Sequence, residues 1–185
     1  MNFKPIQKLN IHRTLSTGEI VSVGVLAQDK QGVFFQYDQT YLKQFGNLSP
    51  FTLQNDVQLQ LAPQQPHQGI HGVFGDSLPD GWGLLLQDRL FRQQDILPTQ
   101  LTAMDRLAFV GDQGMGALSF TPISAFSSEE NTNLDIATLG LEAQTLFDQS
   151  VSEELESKTQ QVLATLVAVG SSGGARPKAQ IYMPA

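Results

Sequence analysis

The 185-residue chain contains no cysteine. Disulfides, thiolate metal sites and a cysteine nucleophile are therefore excluded. Basic groups are also scarce: eleven Lys and Arg stand against eighteen Asp and Glu, a net charge of −7. They do not cluster, so direct nucleic-acid binding is not expected. Long apolar runs are missing. VLATLVAV at 162–169 falls far short of the roughly 20 residues that span a bilayer. The opening MNFKPIQKLNIHR has no apolar run of signal-peptide length. A cytoplasmic protein with no membrane partner is the expectation. With only three His, no Ser–His–Asp arrangement can be inferred.

The first forty residues are rich in β-formers. IQKLNIHRTL, IVSVGVLAQ and VFFQY are separated by the turn signals STGE and DKQG, which predicts an antiparallel meander. DQTYLKQF reads as a short helix stopped by Gly46, and DVQLQLAP alternates as a fourth strand ended by Pro63. PQQPHQGIHGVFGDSLPDG reads as irregular loop. WGLLLQDRLFRQQ predicts a helix with Asp80 at its start and Trp82, Leu85, Leu86 and Arg89 or Leu90 on the buried face. LTAMDRLAFV predicts a second, with Leu101, Met104, Leu107 and Ala108 inward and Gly111 ending it. GALSFTP returns to a strand. Polar residues at 123–133 mark a linker. Beyond it, Ile136, Leu139, Ala143 and Phe147 share a helical face. A second helix opens on the capping-box pattern Ser150-x-x-Glu153.

Several constellations are candidates for chemistry. Asp76 and Asp80 have the makings of a carboxylate pair, yet Asp80 equally suits a helix cap. Asp105 and Arg106 could join Asp112; otherwise Arg106 is a surface or interface ion-pair partner. His67 and His71 have the i, i+4 spacing of a metal pair, but the intervening Gln68, Gly69 and Ile70, with Pro66 and Gly72 beside them, disfavour a helix. No metal site is expected. In VGSSGGARPKAQIY (169–182), Gly173 and Gly174 let the backbone approach a ligand, and successive N–H groups there can form an anion nest. Ser171 and Ser172 add hydroxyls; Arg176 and Lys178 add positive charge. The segment matches neither Walker A nor GxGxxG. A plain turn between helix and strand fits the same residues.

Three segments occur in this order: VFGDSLPDGWGLLLQDR, LTAMDRLAFVGDQGMGALSFTP and VGSSGGARPKAQIYMP. Together they resemble the HipA family of bacterial serine/threonine kinases, the toxins of toxin–antitoxin pairs. The first two resemble the family's N-terminal subdomain, and the third resembles the Gly-rich loop and first strand of its kinase core. The resemblance implies an α+β fold: an antiparallel sheet or partly closed barrel with short helices over 1–122, a linker at 123–133, and the incomplete start of a kinase lobe at 134–185.

The same resemblance implies an autophosphorylation serine at Ser171 and a loop over the ATP phosphates at Ser172, Gly173, Gly174, Ala175, Arg176 and Lys178. Ser172 offers a second hydroxyl beside it. ATP and Mg²⁺ would be cofactors of the intact kinase. A HipB-like antitoxin and a protein of the translation machinery would be its partners. The family's ATP-anchoring lysine, catalytic aspartate and metal-binding aspartate are not located in this chain, so it holds no catalytic residue and is expected to be inactive alone. The alternative is a HipS-like antitoxin, a non-catalytic module acting on a separate kinase.

Overall fold

A computed structural model of the chain describes residues 3–125. Within them, residues 3–78 and Thr99–Ser124 belong to one compact unit, and Pro79–Pro98 and Ala125 belong to a second. The linker and the predicted kinase-lobe segment lie beyond, or almost wholly beyond, the described residues.

The first unit is built on the predicted meander. Strands β1 (Lys8–Thr14), β2 (Ile20–Gln28) and β3 (Val33–Tyr37) run antiparallel through short turns. β4 (Gln60–Leu61) adds to β3, and β5 (Leu118–Thr121) returns to lie beside β1. The order is β4-β3-β2-β1-β5. The sheet is open, so the fold is α+β with a sheet rather than a partly closed barrel.

Alternation along the strands selects the core. Leu9, Ile11, Leu26, Phe35 and Phe120 are fully buried on one face. Each contributes about 1.5–3 kcal/mol by leaving water. A bulge lies opposite Ile11 and His12, where the register steps from Gly24 to Ser22 and passes over Val23. It keeps both Ile11 and Val23 in the core. Gly24 follows the bulge, paired with Tyr37 of β3. A Cβ built there would stand 2.2 Å from the Gln36 carbonyl oxygen, so no larger residue fits without parting the strands.

Helix α1 (Gln39–Phe45) starts where Asp38 accepts hydrogen bonds from the Thr40 and Tyr41 amides. It stops at Gly46, whose φ of 74° favours glycine. The stretch read as irregular loop contains a one-turn helix, α2 (Gly72–Gly75). Its Phe74 meets Phe35 with ring centroids 4.8 Å apart. Four residues are too few for helical periodicity to show in the sequence.

The fourth strand is shorter than DVQLQLAP suggests, and its apolar positions face outward: Leu59 and Leu61 are exposed while Gln60 is buried. The reason is local. Gln60 accepts from the Gln54 amide and donates to the Gln54 carbonyl, closing the 54–60 loop.

Helix α4 (Ala103–Val110) has residues 103–109 buried. Met104, Leu107 and Ala108 are inward as expected, whereas Leu101 precedes the helix and is half-buried. In the second unit, helix α3 (Gly81–Arg92) buries Trp82, Gly83, Leu86, Gln87 and Phe91. Leu85 is 39% exposed, contrary to expectation. At 100° per residue it lies about 150° round the helix from the middle of that stripe. After α3, Asp95 takes φ 58° and the Ile96 amide returns to the Phe91 carbonyl, which ends the helix.

Candidate functional site

The residues expected to form the phosphate loop and its serine switch (Ser171, Ser172, Gly173, Gly174, Ala175, Arg176 and Lys178) lie outside the described residues. The constellations within them resolve as follows.

Asp105 is a structural hub. It is 2% exposed, and Thr102 and Asp105 form a capping box at the start of α4. One carboxylate oxygen accepts from the Ile6 amide at 2.7 Å. The other accepts from the Thr102 amide at 2.8 Å and the Thr102 hydroxyl at 2.7 Å. Both oxygens are thereby engaged in positioning backbone, tying the segment before β1 to α4. Arg106 is 7% exposed, so of the two places expected for it the open surface is excluded, because α4 is enclosed almost all round. Asp112 is exposed and accepts from the side chain of Gln113.

The histidine pair divides. His71 stands at the N-terminus of α2, 2% exposed, its Nε2 donating to the Gln60 carbonyl at 3.2 Å. Its Nδ1 is buried with no hydrogen-bond partner. Burial holds its pKa below the ordinary value, with the Gln60 bond opposing weakly. His67 is exposed on the preceding turn, and its ring lies over α2 where Gly72 and Gly75 leave room; a Cβ at either would come within 2.9 Å of it. Among the described residues no group of three or more His, Cys, Asp or Glu is placed to hold a metal ion. Asp76 closes α2 and is exposed; Asp80 is exposed at the start of α3 and makes no side-chain capping bond.

Tyr37 organises the loop after α1. Its hydroxyl donates to Asn47 Oδ1 and accepts from the Leu48 amide, both at 2.8 Å. Burial is the main cause that pushes its pKa up to about 12.

Next to the Asp105 hub lies a cleft of about 350 Å³. The β2–β3 turn supplies Gln28, Asp29 and Gly32; the loop before α2 supplies Gln64 and Gln68; the start of α4 supplies Thr102. Sequence reasoning missed it. DKQG reads only as a turn and QQPHQG only as a loop. The one local sign, a cluster of Gln between prolines, carries no chemistry by itself.

Two features hold the cleft open. Gln68 takes φ 55° and Gly69 φ 78°, which turns the loop back on itself. Gly32 presents no side chain: a Cβ there would meet Leu61 at 3.2 Å and Gln64 at 3.4 Å. Gln28 fixes the floor, its amide nitrogen donating to the Ile6 carbonyl and to Thr102 Oγ1.

Neither the curated proteins nor the solved structures compared with this chain give a match. The family model of the HipA N-terminal domain matches residues 19–121, more than half of the chain. That span runs from just before β2 to the end of β5 and takes in every described helix. The chain belongs to the HipA family, and residues 19–121 are its HipA N-terminal domain.

Proposed function

We propose that this chain is the N-terminal region of a HipA-like serine/threonine protein kinase toxin of a toxin–antitoxin system. The match of residues 19–121 to the HipA N-terminal domain carries the reading. The order of the three sequence segments supports it, because a Gly-rich segment follows that domain. In the intact kinase, ATP and Mg²⁺ supply the phosphoryl group and neutralise its charge. The backbone N–H groups around Gly173 and Gly174 bind the phosphates, aided by Arg176 and Lys178. Ser171 is the regulatory phosphosite. A phosphate of charge near −2 cannot share the loop with those of ATP, so its addition switches the enzyme off. A HipB-like antitoxin and a translation-machinery substrate complete the system, in the cytoplasm. Among the described residues no helix is long and apolar enough to cross a membrane.

A second reading, a HipS-like antitoxin module, is favoured by one observation: the family match ends with the N-terminal domain at residue 121. The two separate experimentally. Purified 1–185 with Mg·ATP should incorporate no phosphate. The product of the native gene, with whatever follows in frame, should phosphorylate protein serine or threonine under the same conditions. Phosphotransfer by 1–185 alone would overturn the claim that it lacks the catalytic groups. An inert native product that binds and silences a separately encoded kinase would establish the antitoxin reading.

A further inference from the structure

We infer that the cleft between the β2–β3 turn, the 64–69 loop and the start of α4 is a binding site for a guanidinium group. The inference is independent of the kinase reading, since it rests wholly on residues of the N-terminal domain.

Several hydrogen-bonding groups around the cleft remain uncommitted. Gln28 uses both hydrogens of its amide nitrogen, on the Ile6 carbonyl and on Thr102. Its remaining function is a carbonyl oxygen with no partner. Asp29 uses one carboxylate oxygen, which accepts from the Gln31 amide at 2.7 Å and the Gly32 amide at 3.3 Å. Its second oxygen makes no hydrogen bond. The side chains of Gln64 and Gln68 make none either, and each can turn a carbonyl oxygen inward. The lining therefore offers acceptors in excess.

Charge points the same way. Among the described residues that line the cleft, Asp29 is the charged one. The start of α4 brings a partial positive charge of about +0.5. It is outweighed by the Asp105 carboxylate, which already caps that helix, together with Asp29. An anion would meet the Asp29 carboxylate here, so the site favours a cation rich in donors. Guanidinium fits best, because its fixed fork of five N–H groups can engage a carboxylate and flanking amide carbonyls at once. An ammonium offers three donors from one point. The volume is at the small end for ligand sites, right for one side chain and its flanking backbone or for a small molecule.

The backbone adds weight. Gln68 is not glycine, yet it holds a left-handed conformation that costs on the order of 1 kcal/mol. That conformation places an amide side chain at the cleft. Glycine would make the turn more easily but leave the cleft without that group.

The test uses the full 1–185 chain and follows its amide signals by NMR. The probes are an acetylated, amidated Ala-Arg-Ala peptide, the same peptide with citrulline for arginine, and free L-arginine. Citrulline keeps the shape and removes the charge. The arginine peptide should shift the Gly32 and Gly69 backbone signals and the Gln28, Gln64 and Gln68 side-chain amides, and should saturate. The citrulline peptide should bind at least about ten-fold more weakly, as should the arginine peptide to Asp29→Asn, which retains an acceptor for the turn amides. Gln68→Gly, which suits the local backbone, should weaken binding several-fold without loss of stability. Tighter binding of the peptide than of free arginine assigns the site to an arginine presented by a partner protein; the reverse assigns it to a small guanidinium compound. Equal affinity for the citrulline peptide, unchanged affinity in Asp29→Asn, or no saturable shift at these residues would overturn the inference.

Discussion

Replacing Asp105 by Ala removes the group on which the start of α4 and the segment before β1 both depend. Three hydrogen bonds are lost together: from the Ile6 amide, the Thr102 amide and the Thr102 hydroxyl. A hydrogen bond to a charged group contributes about 1.5–3 kcal/mol, and a lost capping interaction costs about 1 kcal/mol. The terms overlap, because the Thr102 bonds are the cap. The Ile6 amide is partly buried, so water replaces some of what it loses. The net loss should be about 3 kcal/mol, a large share of the roughly 5–15 kcal/mol that holds a domain together. Urea unfolding should be followed through the amide signals of β1 and α4, since the chain holds two units and a global signal would mix them. At a slope of about 2 kcal/mol per molar, the midpoint should fall by about 1.5 M. Asp105→Asn should lie between, since one carbonyl oxygen can still serve Ile6 while the new NH2 group opposes the Thr102 amide. Asp112→Asn, on an exposed residue, should stay within about 0.5 kcal/mol of the parent. A loss below about 0.5 kcal/mol for Asp105→Ala would refute the hub and reopen Asp105 as a residue kept for chemistry.

Three further outcomes are expected. Gly24→Ala should lower stability by at least about 3 kcal/mol in the same assay, because its Cβ would stand 2.2 Å from the Gln36 carbonyl oxygen; an effect near that of Gly18→Ala, where nothing lies within 4 Å, would contradict this. His71 is held neutral by burial, so its folded pKa lies below the unfolded value of 6.5. The unfolded chain binds the proton first, and stability should therefore fall as pH drops below 6.5 and level off below the folded pKa; His71→Gln should flatten that part of the profile. Tyr37 should ionise near pH 12 in an ultraviolet titration of the folded chain, and Tyr37→Phe should remove that step and cost about 1–2 kcal/mol through the lost Asn47 and Leu48 bonds.

The regular parts of the fold were legible because short-range rules governed them. Turn residues at STGE and DKQG fixed the meander, and Gly46 and Gly111 ended their helices. Legibility failed where a side chain did long-range work. Gln60 turns inward to close a loop on Gln54, which sends Leu59 and Leu61 out against their hydrophobicity. Asp105 looked like a site acid because nothing in LTAMDRLAFV shows that Ile6, 99 residues earlier, reaches its carboxylate. The guanidinium cleft was invisible for the same reason: its walls come from three separate stretches of chain, each unremarkable alone.

The central functional claim is tested most directly by intact-mass and phosphopeptide analysis of the native gene product after incubation with Mg·ATP. Phosphate on Ser171 is the expected result. Phosphate on Ser172 and never on Ser171 would contradict it.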